Sequence, residues 1–450
     1  MRLVAAWLLN LAYVVLLGAV SPVLLYRSIT QGKYRSGWSQ KFWGNVPDWP
    51  ASIGLTSMHA GDRQRLPRFW FHAVSVGEVL LLQSIIPEIK RRQPLAEILI
   101  STTTTTGQAV AREKFPDCRL IDFPLDFSWA VNRAIRRVRP TQIVLVELEL
   151  WPNFVMAAKS SGIPLAIINA RLSAKSFRGY SRFQWLMRPL LESFDTIAVQ
   201  NATYASRFES LGADRQRLCV TGSVKYDAVE TNRANARTTA LRLAFGIQPG
   251  ERVFVAGSTQ EPEERIAIEV WRQARRSHPE LRLILVPRHK ERFEQVARWV
   301  QNANLPLLRR SHAEASVAAQ GESPVLLLDT LGELAGCWGL ADFAFVGGSL
   351  SNRGGQNMIE PAGYGAAVCF GPNTRNFRDI VESLLDRNAA CVVRDQDELL
   401  ALLESWLKSP QDARDIGRRA QEFVLTQRGA SQRTVDLLVG DAAIKPARAA

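Results

Sequence analysis

Phe343-Ala344-Phe345-Val346-Gly347-Gly348-Ser349-Leu350-Ser351-Asn352-Arg353-Gly354-Gly355-Gln356-Asn357-Met358-Ile359-Glu360-Pro361 is the stretch whose reading decides the fold. Four apolar residues read as a buried strand, two Gly-Gly pairs as a tight turn, and the residues that follow as a helical pattern. A strand that runs through glycines into a helix is the βα unit of a parallel sheet, where ligands bind outside the carboxyl ends of the strands. Glycines at this point let backbone N–H groups approach a phosphate, and a helix N-terminus adds a favourable dipole. Glu360, about one turn in, is placed to accept hydrogen bonds from ribose hydroxyls. A lone Gly-Gly pair would only reverse the chain, but two pairs with an acidic residue at helical spacing point to a nucleotide site.

The same alternation runs outward in both directions. Val253-Phe254-Val255, Leu283-Ile284-Leu285-Val286, Val325-Leu326-Leu327-Leu328 and Val368-Cys369-Phe370 are further strands of this domain. Gly257-Ser258-Thr259 follows the first of them and leads into Glu261 and Glu263, small hydroxyl residues where a helix presents free N–H groups. Pro287-Arg288-His289 ends the second, where a fixed cation can pair with a phosphate. Each alone is a cap or a surface cation; their recurrence at successive strand ends favours a phosphate pocket.

Upstream, Phe69-Trp70-Phe71-His72, Ile98-Leu99-Ile100, Ile143-Val144-Leu145-Val146, Leu165-Ala166-Ile167-Ile168 and Ile197-Ala198-Val199 form an earlier series. Ser75-Val76-Gly77-Glu78 follows its first strand, and a run from Ser101 through Thr104 to Gly107 follows its second. Both turns suit sugar or phosphate oxygens, and both equally read as N-caps. Glu147-Leu148-Glu149-Leu150-Trp151-Pro152-Asn153 puts two carboxylates at strand spacing, to hold a sugar hydroxyl or to pair with arginines. The expected organisation is α/β: a membrane-attachment helix over 1–30, a Rossmann-like domain over 31–226, an Arg-rich linker over 227–250, a second Rossmann-like domain over 251–410, and C-terminal helices with a basic tail over 411–450. Two such domains facing across a cleft are the architecture of many nucleotide-sugar transferases.

With 450 residues, 46% of them hydrophobic, the chain is long enough for two cores, and its net charge of +13 attracts polyanions: nucleic acid, anionic lipid or phosphorylated small molecules. No basic run is interleaved with aromatics, which argues against nucleic acid. Five cysteines, scattered and without a Cys-x-x-Cys pair, read as buried thiols in a reducing compartment, and five isolated histidines offer no metal-binding run. Residues 3–26 carry no charge and match the roughly 20 residues that cross a bilayer core. Ser21-Pro22 is a poor cleavage site, and Arg27, Lys33, Arg35 and Lys41 after the run place the globular part in the cytoplasm, on the inner membrane. Asn10 and Pro22 interrupt the run, so an interfacial or docked helix is the alternative to a spanning one.

Taken together, His72-Ala73-Val74-Ser75-Val76-Gly77-Glu78, the 147–153 run, Asn169-Ala170-Arg171-Leu172-Ser173, Thr221-Gly222-Ser223-Val224-Lys225-Tyr226-Asp227, Pro287-Arg288-His289 and 347–361 resemble the 3-deoxy-D-manno-octulosonic acid (Kdo) transferases across almost the whole chain. The resemblance implies a GT-B fold and metal-independent, inverting transfer of Kdo from cytidine monophosphate-Kdo (CMP-Kdo) to a lipid A precursor, in lipopolysaccharide core biosynthesis, with no cofactor. By position it assigns Ser258, Thr259, Arg288, His289, Gly347, Gly348, Ser349, Gly355, Asn357 and Glu360 to the donor, and Ser75, Gly77, Glu78, Thr104, Glu149 and Arg171 to the acceptor. The family's general-base glutamate, in the stretch Tyr34-Arg35-Ser36-Gly37-Trp38-Ser39-Gln40-Lys41-Phe42, is here Gln40, and an amide cannot take a proton at ordinary pH. Its usual histidines stand as Gln260 and Gln356, and a common glycine as Pro262. Either another carboxylate, Glu78 first, supplies the base, or the enzyme is slow, or catalysis is lost and the chain is a membrane-bound sugar-nucleotide-binding protein. A transferase using another nucleotide sugar is a further alternative.

Overall fold

Strands buried on both faces have no polar side to show, which is why the central runs of this chain are so uniformly apolar. The computed structural model describes residues 2–31, 37–49, 53–55, 63–315 and 323–440. The chain divides into two units, residues 1–228 with 428–450, and residues 229–427. After a short antiparallel pair, β1 (Ile53–Leu55) and β2 (Arg63–Arg65), the first unit contains β3 (Arg68–His72), β4 (Glu97–Thr102), β5 (Arg119–Asp122), β6 (Gln142–Val146), β7 (Leu165–Ala170), β8 (Thr196–Val199) and β9 (Leu218–Val220). They form a parallel sheet in the order β5-β4-β3-β6-β7-β8-β9. The chain winds outward in opposite directions from β3 and β6, so their carboxyl ends are the switch point where such sheets bind ligands.

Alternate residues of each strand feed cores on opposite faces. Trp70, Leu99, Ile143 and Leu145 go to one, and Phe69, Phe71, Ile98, Ile100, Val144 and Val146 to the other. In the second unit β10 (Arg252–Thr259), β11 (Leu281–Pro287), β12 (Leu307–Arg309), β13 (Val325–Leu327), β14 (Phe343–Val346), β15 (Ala367–Phe370) and β16 (Cys391–Val392) pair in the order β12-β13-β11-β10-β14-β15-β16. Its switch point lies between β10 and β14. All five cysteines are free thiols; Cys337 and Cys369 are buried, while Cys118, Cys219 and Cys391 are only half-buried because they lie at or beside the edge strands β5, β9 and β16.

The N-terminal run forms α1 (Arg2–Gln31), with Pro22 inside it. Among the described residues no helix is long and apolar enough to cross a membrane, so the transmembrane expectation is not supported. Two of its polar side chains bond to the rest of the first unit. Asn10 is buried, accepts from the backbone N–H of Ser128 at 3.0 Å and donates to the Ser128 hydroxyl at 2.8 Å, while the Tyr13 hydroxyl donates to Asp126 at 2.9 Å. Asp126 in turn accepts the N–H groups of Asn153 and Phe154, capping the helix Pro152–Ser160. This part of α1 is thus hydrogen-bonded to the first unit, while Trp7, Leu11, Val15, Leu16, Tyr26 and Ile29 stay exposed. Lys33 and Arg35, invoked for orientation, lie outside the described residues.

From residue 229 onward, the segment expected as a linker is built into the second unit. Its helix Ala236–Ala244 is capped by Asn235, Thr238 donates to the carbonyl of Gly336 at 2.8 Å, and Arg233 donates to the carbonyls of Tyr364 and Ala341, each at 2.8 Å. The two last helices part company: Pro410–Thr426 belongs to the second unit and Ala430–Val439 returns to the first. There Ala430, Val435 and Leu438 join the core under α3 (Val76–Arg92), and Asp436 pairs with Arg92. Residues 441–450 of the expected basic tail lie outside the described residues.

Asp227 anchors this returning helix, accepting the N–H groups of Gly429, at 2.7 Å, and Ser431. Replacing Asp227 by Ala is expected to cost about 0.5–2 kcal/mol, the range for losing a cap. A lowered melting temperature with new proteolysis within 428–440 would bear this out, and an unchanged protease pattern would refute it.

Candidate functional site

At the switch point of the second unit a single carboxylate organises two loops. Glu263, wholly buried at the start of the helix Glu263–Ala274, accepts from the N–H groups of Gly348 at 2.7 Å, Ser349 at 2.9 Å, Leu350 at 3.0 Å and Gln260 at 2.9 Å. The loop amides expected to meet a phosphate therefore point at Glu263, and the helix that follows, Ile359–Gly363, is only about one turn long. Gly347 must be glycine, since a Cβ there would lie 2.6 Å from Thr259 Cα and 2.7 Å from the Ser258 carbonyl oxygen. Ser258 itself takes a left-handed φ of 54°, an uncommon setting for a non-glycine residue. Ser349 is wholly buried and used internally: its hydroxyl donates to the Val346 carbonyl at 2.6 Å and accepts from the Gly371 N–H at 2.8 Å.

Beside these loops lies a polar set drawn from three strand ends. Arg288 and His289, beyond β11, are exposed, and the Arg288 N–H donates to the Thr259 carbonyl at 3.0 Å, fixing one loop to the next. Asn357 accepts from the Ile359 N–H and donates to Glu360 at 3.0 Å. Burial pushes the Glu360 carboxyl up, against the pull of the Asn357 hydrogen bond and the nearby Arg288 charge. Gly355 donates to the Gly348 carbonyl at 2.8 Å, closing the glycine-rich loop on itself. Gln260 and Gln356 converge on Gly348, where an added Cβ would lie 3.4 Å and 3.2 Å from their amide nitrogens.

The first unit's switch point collects carboxylates and cations. Ser75 caps α3 and donates to Glu78 at 2.7 Å, while Glu78 also accepts the Val74 N–H at 2.8 Å, a capping box that commits both carboxylate oxygens. Gly77 meets only the Ser75 hydroxyl, 3.9 Å from an added Cβ. Thr104 caps the helix Thr105–Lys114 and donates to the Val74 carbonyl at 3.0 Å, tying the two turns together. β6 ends at Val146, so strand spacing does not relate Glu147 to Glu149. Glu147 turns the chain with a left-handed φ of 61° and pairs with Arg171 at 2.9 Å and Lys225 at 3.8 Å. Glu149 has no cation within ion-pairing distance among the described residues; burial first, then the Glu78 carboxylate, push it up to about 7. Burial lowers Lys225, with Glu147 opposing. Lys225 belongs to a quoted run, yet nothing local marks it, since its partner lies on another loop.

Gln40, on α2 (Trp38–Trp43), accepts from the N–H of Asp122 at 2.9 Å through its side-chain oxygen. His72 is fully buried, stacks on Phe123 at 3.6 Å and is lowered to about 3 by that burial, so it stays neutral.

The family model described as 3-Deoxy-D-manno-octulosonic-acid transferase (kdotransferase) matches residues 47–228. The 3-deoxy-D-manno-octulosonic acid transferase of Haemophilus influenzae is 32% identical over 371 residues, 82% of this chain and 86% of that protein. That of Bordetella pertussis is 32% identical over 402 residues, 86% of this chain and 90% of that protein. Among solved structures, UDP-GlcNAc 2-epimerase from Neisseria meningitidis bound to UDP-GlcNAc is similar with a TM-score of 0.58 at 13% identity, covering 83% of this chain and all of that one, a likeness of fold.

Glu263→Ala would leave four amides without an acceptor, at about 1–3 kcal/mol for each that stays buried. Urea unfolding should report a loss of at least about 3 kcal/mol, with Glu263→Gln intermediate because it keeps one acceptor oxygen. A second expectation concerns Glu149. Its folded pKa lies above the ordinary value of 4.5, so it contributes stability below that value, which is lost as pH rises through about 7. Glu149→Gln removes this dependence: its melting temperature relative to wild type should climb between about pH 5 and pH 8, and a flat difference would contradict the assignment.

Proposed function

Since the chain belongs to the Kdo transferase family of glycosyltransferases, we propose that it transfers Kdo from CMP-Kdo, with inversion and without a metal, to a lipid A precursor at the cytoplasmic face of the inner membrane. The observation that carries the donor reading is the polar set at the switch point between β10 and β14. Arg288 offers a cation to the cytidylate phosphate, and Glu360, oriented by Asn357, accepts ribose hydroxyls. Glu263 takes no part in contact and instead fixes the loop that carries these groups. For the acceptor, Arg171 and Lys225 supply charge for lipid phosphates beside Glu78 and Glu149. Attachment to an anionic membrane is supported by the exposed apolar residues of α1 and the net charge of +13.

In the reaction the acceptor hydroxyl oxygen attacks the anomeric carbon of Kdo as the bond to the cytidylate phosphate breaks, and the phosphate leaves with the bonding electrons. One specific observation favours a second reading, a sugar-nucleotide-binding protein without turnover: Gln40 stands where the family has its base. Incubating the chain with CMP-Kdo and a lipid A precursor in anionic vesicles, with mass analysis of the lipid and sedimentation of the protein, tests both. Kdo-bearing lipid and vesicle-bound protein are expected; donor binding with no product under any acceptor would favour the second reading. Product only from a uridine diphosphate sugar would overturn the donor assignment.

A further inference from the structure

Asp122 is the last residue of β5, at the carboxyl edge of the first sheet, and it touches position 40 directly. Its N–H donates to the Gln40 side-chain oxygen at 2.9 Å, and its carboxylate Oδ1 pairs with Lys41 at 3.2 Å. The carboxylate lies against the backbone of Gly37: a Cβ there would come within 2.2 Å of Oδ2, and Gly37 has a φ of +78°. A second bond, from the Leu125 N–H to the Lys41 carbonyl at 2.7 Å, pins α2 to the loop that follows β5. The Asp122 side chain is 16% exposed, so solvent reaches it, and among the described residues no donor is hydrogen-bonded to Oδ2.

On the reading that the chain transfers Kdo, we infer that Asp122 is the general base, supplying from β5 the carboxylate that position 40 lacks. The acceptor hydroxyl must lose its proton as its oxygen bonds to the anomeric carbon, and a positioned carboxylate takes that proton while the amide of Gln40 orients the hydroxyl. The bond to the cytidylate phosphate breaks in the same step and its electron pair leaves on the phosphate, so the proton on Asp122 and the charge on CMP balance. Glu78 commits both carboxylate oxygens to its capping box and Glu147 commits one to Arg171 and the other to Lys225, whereas Asp122 pairs with Lys41 through Oδ1 alone; Glu149, which has no cation partner among the described residues, enters the test as the alternative base.

The test compares turnover and KM for CMP-Kdo in wild type, Asp122→Asn, Lys41→Met, Glu149→Gln and the double variant Asp122→Asn with Gln40→Glu. Asp122→Asn should lose about 100-fold or more in kcat with little change in KM, and Gln40→Glu in that background should restore activity to within about tenfold of wild type. Lys41→Met breaks the same ion pair but keeps the carboxylate, so it should retain turnover within a few-fold. Equal damage from Lys41→Met and Asp122→Asn, or no rescue by the glutamate in a double variant that melts like wild type, would reduce Asp122 to a structural anchor. Turnover lost in Glu149→Gln and kept in Asp122→Asn would move the base elsewhere. A wild type that transfers no Kdo from CMP-Kdo overturns the functional reading and the inference with it, whereas an active wild type with an equally active Asp122→Asn overturns the inference alone.

Discussion

Four backbone N–H groups, three from the loop after β14 and one from the loop after β10, meet on the Glu263 carboxylate. A buried carboxylate is tolerated only when its lone pairs are met, and buried amides only when they find acceptors. Each loop thus satisfies a requirement of the other. Gly347 is squeezed against Thr259 and Ser258 so that the loops can approach closely enough for this to happen, and the left-handed turn at Ser258 follows from the same approach. Arg288, Asn357 and Glu360 are held around this knot, so the precision of the polar set derives from a residue that does not belong to it.

The first unit repeats the device with other side chains. Asp126 holds the start of one helix and, through Tyr13, the middle of another, Glu78 folds back on its own turn, and Asp227 holds the helix that returns from the far end of the chain. Several residues that look like ligand contacts in the sequence, Ser75, Thr104 and Ser349 among them, have hydroxyls engaged in caps or inter-loop bonds. The groups with chemistry to spare are fewer: Arg288, Glu360, Glu149, Lys225 and the carboxylate beside Gln40.

What was legible in the sequence follows from burial. β3, β4, β6, β7 and β8, and β10, β11, β13, β14 and β15, are the inner strands and read as continuous apolar runs. β5, β9, β12 and β16 are not legible as strands because an edge strand need not be apolar throughout: Arg119–Asp122 has a charged residue at each end and Leu307–Arg309 is half-buried along its length. The 347–361 loop was legible as the place of a site, yet not the destination of its amides, because Glu263 lies 85 residues earlier in the chain than Gly348. The contact between Asp122 and Gln40 spans 82 residues and leaves no local pattern at either end. Glu147 departs from strand spacing for a different reason, a left-handed turn at a non-glycine residue that propensity does not announce.

The return of residues 430–439 to the first unit has a consequence for biosynthesis. The second unit is one uninterrupted segment, 229–427, inserted into a first unit whose last helix comes after it. On the ribosome, therefore, α3 waits with part of its apolar face uncovered while some two hundred residues are made, and the inserted segment is fully synthesised before the unit that began first. A chain stalled or cleaved just before residue 430 would contain every strand of both sheets and still lack part of the first unit's core.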